Sequence, residues 1–164
     1  MAFRPDGATR VYRIVHSRFP PFDGSGTYQW GSRWISPGRQ VVHAAETYAL
    51  AVLENLVHWQ TNVLPSALVC VEATIPAGMQ QEQVNDVDPR ALGSFDHEAT
   101  RAHGDDWYDR HRTAVLWVPS AVSPYERNIL LNKTHVDFNT VEVAAPVRVV
   151  LDRRLLQESS SGGG

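Results

Sequence analysis

LAVLENLVH, residues 50–58, predicts the strongest helix of this chain and places a carboxylate on it. Apolar residues at positions 49, 52, 53, 56 and 57 recur with the spacing of a helix that faces a protein core. Glu54 lies beside this apolar stripe, and most of its neighbours one turn away are aliphatic. We therefore expect the Glu54 carboxylate at the edge of the stripe, partly removed from water. A structural ion pair with an arginine explains the same position equally well.

The length and composition predict a single domain with a hydrophobic core. The chain has 164 residues, of which 43% are hydrophobic, and this is enough for one ordinary domain. We place the domain at residues 1–158, and residues 159–164 have the composition of a flexible linker or a tag remnant. A net charge of −3 argues against nucleic acid as the main partner. No signal peptide or membrane-spanning run is recognisable, so we expect a cytoplasmic protein without contact to a membrane.

Short strands around the helix predict the fold class. We expect the helix over residues 46–59 and a second, short helix over residues 105–112. Alternating or apolar runs predict strands at 11–15, 40–43, 66–75, 113–118, 128–132, 138–143 and 147–151. Roughly six to eight short strands with one strong helix are typical of an α+β domain with a mixed or antiparallel sheet.

Several short motifs follow one another in a fixed order along the chain. They are Tyr12-Arg13-Ile14, Gly31-Ser32-Arg33-Trp34, Leu50 to Glu54 with His58, Trp107, Val118-Pro119-Ser120-Ala121-Val122, Asn128 to Asn132 with His135, and Leu151 to Leu155. This series resembles the RES domain family, which supplies the toxin of bacterial Xre–RES toxin–antitoxin pairs. The resemblance covers roughly residues 11–156 and depends on the order of the motifs, since each alone is weak.

What the resemblance implies is an activity on NAD⁺ as a substrate. Members of the family have a fold similar to bacterial ADP-ribosyltransferases and cleave the bond between nicotinamide and ribose. They hand the ADP-ribosyl group to water, to inorganic phosphate or to a protein, and the loss of NAD⁺ arrests growth. The implied partner is an Xre-type antitoxin, and family toxins commonly form homodimers or larger assemblies with it. No metal ion is expected.

The resemblance also implies which residues carry the activity. The family's arginine falls on Arg33 or Arg13, its glutamate on Glu54 and its serine on Ser120. A pair of arginines suits the pyrophosphate of NAD⁺, because a guanidinium binds phosphate oxygens bidentately. A fixed carboxylate stabilises the oxocarbenium character that develops on the ribose. Ser120 is placed to hydrogen-bond a ribose or phosphate oxygen, or to cap a turn.

Four further residues are candidates for NAD⁺ binding. Tyr28 and Trp34 have rings that can stack on the cationic nicotinamide, although a tryptophan such as Trp34 is more often a core residue. His43 stands where many relatives have a tyrosine, and an imidazole there adds sensitivity to pH near neutrality. Asn132 is the last candidate, although Asn128 and Asn132 are also typical of residues that tie loop backbone.

Other classes of protein are weighed against this interpretation. His97, His103 and His111 lie in one segment with three aspartates, but their spacing matches no metal-binding motif. A serine hydrolase is disfavoured because Ser120 is not in a G-x-S-x-G elbow. The GxGxxG motif of dinucleotide-binding folds is absent, so NAD⁺ would be bound as a substrate without such a fold. A non-catalytic protein-binding module stays open, with residues 79–112 as its docking surface.

Overall fold

Nine β-strands form one sheet in the computed structural model, which describes residues 1–58, 67–94 and 96–156. The strands are Ala2–Phe3 (β1), Thr9–His16 (β2), Val41–Ala45 (β3), Leu68–Ile75 (β4), Gln81–Gln83 (β5), Val115–Pro119 (β6), Arg127–Asn132 (β7), Glu142–Val143 (β8) and Val147–Arg148 (β9). Their spatial order is β1-β5-β6-β7-β3-β2-β4-β8, and β9 also pairs with β4. Strands β5 and β6 are parallel, and the other paired strands are antiparallel. The predicted single α+β domain with a mixed sheet is therefore confirmed.

Helices accompany the sheet in the described part of the chain. The α-helices are Ser25–Trp30 (α1), Tyr48–Leu56 (α2), Pro89–Gly93 (α3) and Glu98–Asp109 (α4), and two 3₁₀ helices are Val136–Thr140 and Arg153–Leu156. Among the described residues, no helix has the length and apolar character needed to cross a bilayer. The predicted linker at 159–164, the end of the predicted helix at Trp59 and the predicted strand start at Ser66 lie outside the described residues.

The strand predicted over residues 138–143 is wrong for most of its length. A 3₁₀ helix ends at Thr140, and only the two residues of β8 follow it as strand. Phe138 is buried in this 3₁₀ helix, where its ring lies 6.2 Å from that of Phe22. The tight turn is what brings Phe138 into the core, so tertiary packing overrides the strand-like pattern.

The short helix predicted over residues 105–112 is also wrong in its extent. Helix α4 runs from Glu98 to Asp109, and its buried face consists of Thr100, Gly104 and Trp107. A side chain at position 104 would overlap the backbone carbonyl of Trp34. The helix can therefore approach the Trp34 backbone closely because residue 104 is a glycine. Glycine is a poor helix former, so the sequence pattern did not predict a helix through this position.

Helix α2 begins two residues later than predicted. Thr47 has an extended backbone, and its hydroxyl accepts a hydrogen bond from the backbone N–H of Leu50 at 3.0 Å. Such a side-chain cap satisfies one of the unpaired N–H groups in the first turn of a helix. The helix therefore starts at Tyr48.

The prediction of which side of α2 faces the core is wrong. Leu50 and Ala51 are the buried residues of the helix, whereas Ala49 and Val57, two members of the predicted stripe, are exposed. The helix packs against β2 and β3 through the side that carries Leu50 and Ala51. Glu54 follows these two residues by one turn, so it lies on the inward side of α2 and is half-buried.

The sheet opens between β2 and β3. Strand β2 pairs with β4 along its whole length, and β3 pairs with β7 along its whole length. Between β2 and β3, only Tyr12 and Ala45 are paired among the described residues. The two strands therefore diverge beyond this pair, and the backbone groups at the opening need other hydrogen-bond partners.

Candidate active site

A cleft of about 410 Å³ lies at the opening between β2 and β3. Its volume falls within the range of about 300–1,000 Å³ that is usual for small-molecule sites. Strands β2, β3 and β7 and helix α2 contribute its walls. The polar and titratable residues that line it are Tyr12, Arg13, His16, Ser32, His43, Glu54, Asn55, His58 and Asn128.

Glu54 is held by two side-chain donors at the wall of this cleft. The Ser120 hydroxyl donates to Glu54 Oε1 at 2.9 Å, and Asn128 Nδ2 donates to the same oxygen at 2.5 Å. Neither donor is on α2. Ser120 directly follows β6, and Asn128 is in β7. The carboxylate is therefore tied to the sheet and does not move freely with the surface of its helix.

Ser120 has the turn-capping role that the sequence suggested, and it makes a contact with Glu54 that the sequence did not suggest. It is 2% exposed, and its Oγ accepts hydrogen bonds from the backbone N–H groups of Val122 and Ser123, both at 3.1 Å. These contacts make it the cap of the turn that follows β6. Its contact with Glu54 adds a link between this turn and the cleft.

Arg13 bridges the opening of the sheet. Its Nη1 donates to the backbone oxygen of His43 on β3 at 2.7 Å, and its Nε donates to the backbone oxygen of Pro21 at 2.8 Å. The guanidinium thus hydrogen-bonds the backbone carbonyl of His43 at a point where β2 and β3 are not paired. Burial lowers the pKa of Arg13, and the neighbouring Asp23 carboxylate opposes this shift. A guanidinium keeps its charge in proteins, so the cleft holds a half-buried positive charge at this point.

His43 is neutral at physiological pH, so the folded protein does not have the titration near neutrality that the sequence suggested at this position. Burial, and secondly the charge of Arg13, lower its pKa from the ordinary value of 6.5 to about 3. Its Nε2 is buried and has no hydrogen-bond partner in the part of the chain that the structure describes. A buried imidazole nitrogen without a partner is costly, and this nitrogen belongs to a residue that lines the cleft.

Arg33 and Trp34 are not among the residues that line the cleft, although their neighbour Ser32 is. Arg33 Nη1 donates to the backbone oxygen of Ser94, after α3, at 3.0 Å. Trp34 is 3% exposed and packs in a cluster with Trp107. Of the two arginines left open by the sequence, Arg13 is therefore the one that shares the cleft with Glu54.

Tyr28 and Asn132 are also absent from the described lining of the cleft. Tyr28 lies on α1 and is 57% exposed. Asn132 is fully buried at the end of β7, where its Oδ1 accepts hydrogen bonds from the backbone N–H and the hydroxyl of Thr134 at 3.0 and 2.8 Å. The structure thus brings together Arg13, His43, Glu54 and Ser120 out of the predicted site residues.

Asn128 is the site residue that the sequence analysis missed. We expected it to tie loop backbone, but its side chain donates to Glu54. The available signal was strand alternation, because Asn128 shares one face of β7 with Leu130 and Asn132. A polar residue at the first inward position of an apolar strand is a candidate for a buried polar contact.

The three histidines considered for a metal site lie in and at either end of one helix. His97 precedes α4, His103 lies within it and His111 follows it. Within residues 1–58, 67–94 and 96–156, no group of three His, Cys, Asp or Glu side chains is placed to hold a metal ion.

The fold and the cleft define the class of this protein. It is an α+β domain whose open sheet holds a glutamate fixed by two donors, with an arginine in the same cleft. The chain belongs to the RES domain family, because the model of that family matches residues 10–152. The resemblance read from the order of the motifs is confirmed.

Two relatives support the same membership, and a solved structure shows the same fold. The chain is 32% identical to a protein named Toxin Res from Photorhabdus laumondii, over 79% of this chain and 85% of that protein. It is 31% identical to a Prs ADP-ribosylating toxin from Sphingobium sp., over 83% and 87%. A chain of the M. tuberculosis MbcT–MbcA toxin–antitoxin complex superposes with a TM-score of 0.75 at 13% identity, covering 93% of this chain and 89% of that chain. This last likeness shows the fold.

Proposed function

We propose that this protein is the toxin of a toxin–antitoxin pair and that it cleaves NAD⁺ at the bond between nicotinamide and ribose. The observation that carries the proposal is the Glu54 carboxylate, held by Ser120 and Asn128 at the wall of a cleft that also contains Arg13. Two relatives, a Toxin Res and a Prs ADP-ribosylating toxin, support the same proposal.

Glu54 supplies the charge that this reaction needs. When the bond between nicotinamide and the anomeric carbon of the ribose breaks, its electron pair goes to the nicotinamide nitrogen. The ribose then develops oxocarbenium character, which a carboxylate fixed beside it stabilises. The oxygen of water or phosphate bonds to the same carbon, and a proton of the water passes to Glu54 or to solvent.

We assign Arg13 to the pyrophosphate of NAD⁺. Two of its nitrogens donate to main-chain oxygens, and in the described part of the chain its Nη2 makes no hydrogen bond. The guanidinium is therefore held in place and still has donors for an anion. In this proposal Arg33 is the anchor of the loop at Ser94 and does not bind substrate.

His43 offers a neutral nitrogen to the substrate in this proposal. Its Nε2 is buried and has no partner among the described residues, so a hydroxyl or carboxamide of NAD⁺ that reached it would satisfy it. Tyr28, Trp34 and Asn132 have no assigned part in substrate binding, since none of them is among the residues that line the cleft.

The test is incubation of the purified protein with NAD⁺, with and without inorganic phosphate, followed by measurement of free nicotinamide. We expect nicotinamide to be released by the wild-type protein and release to be nearly abolished by Glu54→Gln, which keeps the size of the side chain. The mass of the second product identifies the acceptor: ADP-ribose for water, or its 1″-phosphate for phosphate. If no nicotinamide is released with or without phosphate, the protein is not a glycohydrolase or phosphorylase and the proposal is wrong. If none is released with a cell extract as well, the protein is a binding module.

Protein ADP-ribosylation is the second candidate function. The relative named as a Prs ADP-ribosylating toxin is 31% identical to this chain, and hydrolysis and protein modification share the same first step. Under this alternative, nicotinamide release depends on a protein acceptor from a cell extract. Mass spectrometry of the acceptor would then show an added ADP-ribosyl group, whereas NAD⁺ alone would be consumed slowly.

The proposed partner is an antitoxin of the Xre type. The structural likeness to a chain of the MbcT–MbcA toxin–antitoxin complex supports this proposal, as does the family membership. We expect the pair to act in the cytoplasm, where the cellular NAD⁺ is, and to form a homodimer or larger assembly. Co-expression with the antitoxin should abolish nicotinamide release and restore growth, and light scattering of the purified complex would give its stoichiometry.

A further inference from the structure

We propose that Asn128 and Ser120 are positioning residues that hold one oxygen of the Glu54 carboxylate and leave the other oxygen for the cleft. The inference rests on the proposed function, because it concerns how the same carboxylate is oriented for its task. Neither side chain needs to contact NAD⁺ in this arrangement. Both affect the reaction by acting through Glu54.

The hydrogen-bonding capacity of Ser120 is used up inside the protein. A hydroxyl has one hydrogen and two lone pairs. Both lone pairs accept backbone N–H groups, from Val122 and Ser123 at 3.1 Å. The single hydrogen is left for Glu54 Oε1, which lies 2.9 Å away. The hydroxyl therefore has neither a hydrogen nor a lone pair left for the substrate.

Asn128 provides the second donor from a rigid part of the sheet. Its amide nitrogen can only donate, and it lies 2.5 Å from Glu54 Oε1. The strand on which it sits is central, because Asn128 is in register with Ala45 on β3 and with Val118 on β6. A side chain based on a strand that is paired on both sides presents its donor with little freedom.

The two donors converge on the same carboxylate oxygen. Within the described part of the chain, Oε1 accepts both hydrogen bonds and Oε2 accepts none. The charge comes from α2, and the donors come from the turn after β6 and from β7, so the carboxylate is fixed from the side of the sheet. A carboxylate that is already oriented before the reaction does not have to reorganise when the transition state forms. Such preorganisation increases the rate.

A double-mutant cycle separates a positioning role from a merely structural one. We expect Asn128→Ala to lower kcat for nicotinamide release by about 10–100-fold and to change KM for NAD⁺ by less than about threefold. In protein that already carries Glu54→Gln, the same change should lower the residual rate by less than about threefold, because the group that Asn128 positions is gone. The residual rates are measured in long incubations at high protein concentration.

The matched control is Asn139→Ala, since Asn139 is exposed on the 3₁₀ helix before β8. It should leave kcat and KM unchanged. Ser120→Ala gives a second route to the same test if Asn128→Ala fails to fold, and we expect the same dependence on Glu54. Equal losses of rate with and without Glu54, or a raised KM at unchanged kcat, would overturn the inference.

A spectroscopic measurement separates failure of this inference from failure of the proposed function. The carboxyl ¹³C resonance of Glu54, assigned by its loss in Glu54→Gln, should shift in Asn128→Ala and in Ser120→Ala. It should stay in place in Asn139→Ala. An unmoved resonance in the first two variants would overturn the positioning role, whereas a wild-type protein that releases no nicotinamide would contradict only the proposed function.

Discussion

Asn128 and Asn132 lie on the same face of β7, one near each end of the strand, and they have different surroundings. Asn128 lines the cleft and donates to a carboxylate on α2. Asn132 is fully buried and accepts hydrogen bonds from Thr134 in the turn that follows the strand. Residue type, strand and face are the same, so these features do not distinguish the two asparagines. What differs is the element opposite each of them: a helix with a glutamate at one end and a turn at the other.

The largest effect is expected at the Asn128 end, on removal of the charge to which it donates. Glu54→Gln keeps the shape of the side chain but removes the carboxylate, so the rate of nicotinamide release should fall by about 1,000-fold. Initial rates at saturating NAD⁺ measure this change. A Glu54→Gln variant that keeps more than about a tenth of the wild-type rate would show that the reaction does not depend on the carboxylate to which Asn128 donates.

His43 lies on β3 and pairs with Leu130, which is halfway between the two asparagines on β7. The folded protein keeps its imidazole neutral down to a pKa of about 3, whereas the unfolded chain binds a proton there below the ordinary value of 6.5. This site therefore leaves stability unchanged above about pH 6.5 and lowers it as the pH falls toward 3. Between pH 7 and pH 5 the loss is about 2 kcal/mol.

Chemical denaturation of the wild type and of His43→Gln, at pH 7 and at pH 5, checks this prediction. The variant has no group that titrates at position 43, so it should lose about 2 kcal/mol less of its free energy of unfolding over this range. Equal losses in both proteins would mean that the imidazole is protonated in the folded state and that the middle of β3 is open to water.

At the Asn132 end, we expect a loss of stability larger than any loss of activity. Asn132→Ala removes the acceptor of two hydrogen bonds from Thr134, but it also removes a buried Nδ2 that has no partner among the described residues. These contributions partly offset each other, so the free energy of unfolding should fall by about 1–2 kcal/mol. Thermal unfolding measures the loss, and a kcat that falls further than that of Asn128→Ala would remove the contrast between the two ends.

The smallest effect is expected from the two arginines that the sequence left open. Arg13→Lys should raise KM for NAD⁺ by about tenfold, because a lysine cannot hold two main-chain oxygens and bind phosphate bidentately at the same time. Arg33→Lys should change KM by less than about twofold, since Arg33 contacts the loop at Ser94. Steady-state kinetics on both variants gives the comparison, and the opposite ranking would move the pyrophosphate away from the Asn128 end.

The parts of the fold that could be predicted are those encoded by local periodicity. The strand that became β2 and the helix that became α2 were visible because alternation and helical spacing come from a few adjacent residues. Helix α4 was largely missed, since Gly104 lowers helical propensity and its value lies in the close approach to Trp34. Phe138 was assigned to a strand because only the core, which packs it against Phe22, favours the tighter turn.

The candidate site was predictable to the same degree. Glu54 and Ser120 were found because their residue types recur in the motif order of the family, and the structure joins them by a hydrogen bond. Arg13 and Arg33 could not be ranked, because both stand in equally plausible motifs and differ only in what lies opposite them. Asn128 was set aside because an asparagine at the end of a strand is typical of loop contacts.

The sequence by itself determined the fold class, the family and the presence of a carboxylate beside the apolar residues of a helix. The tertiary structure alone decided which arginine shares the cleft with Glu54 and which asparagine donates to it. The physical reason is range: secondary structure depends on neighbours within a few residues, whereas the contacts of Glu54 with Ser120 and Asn128 join positions 66 and 74 residues apart. Such contacts form only when the sheet brings Ser120, after β6, and Asn128, on β7, to the side chain of Glu54 on α2.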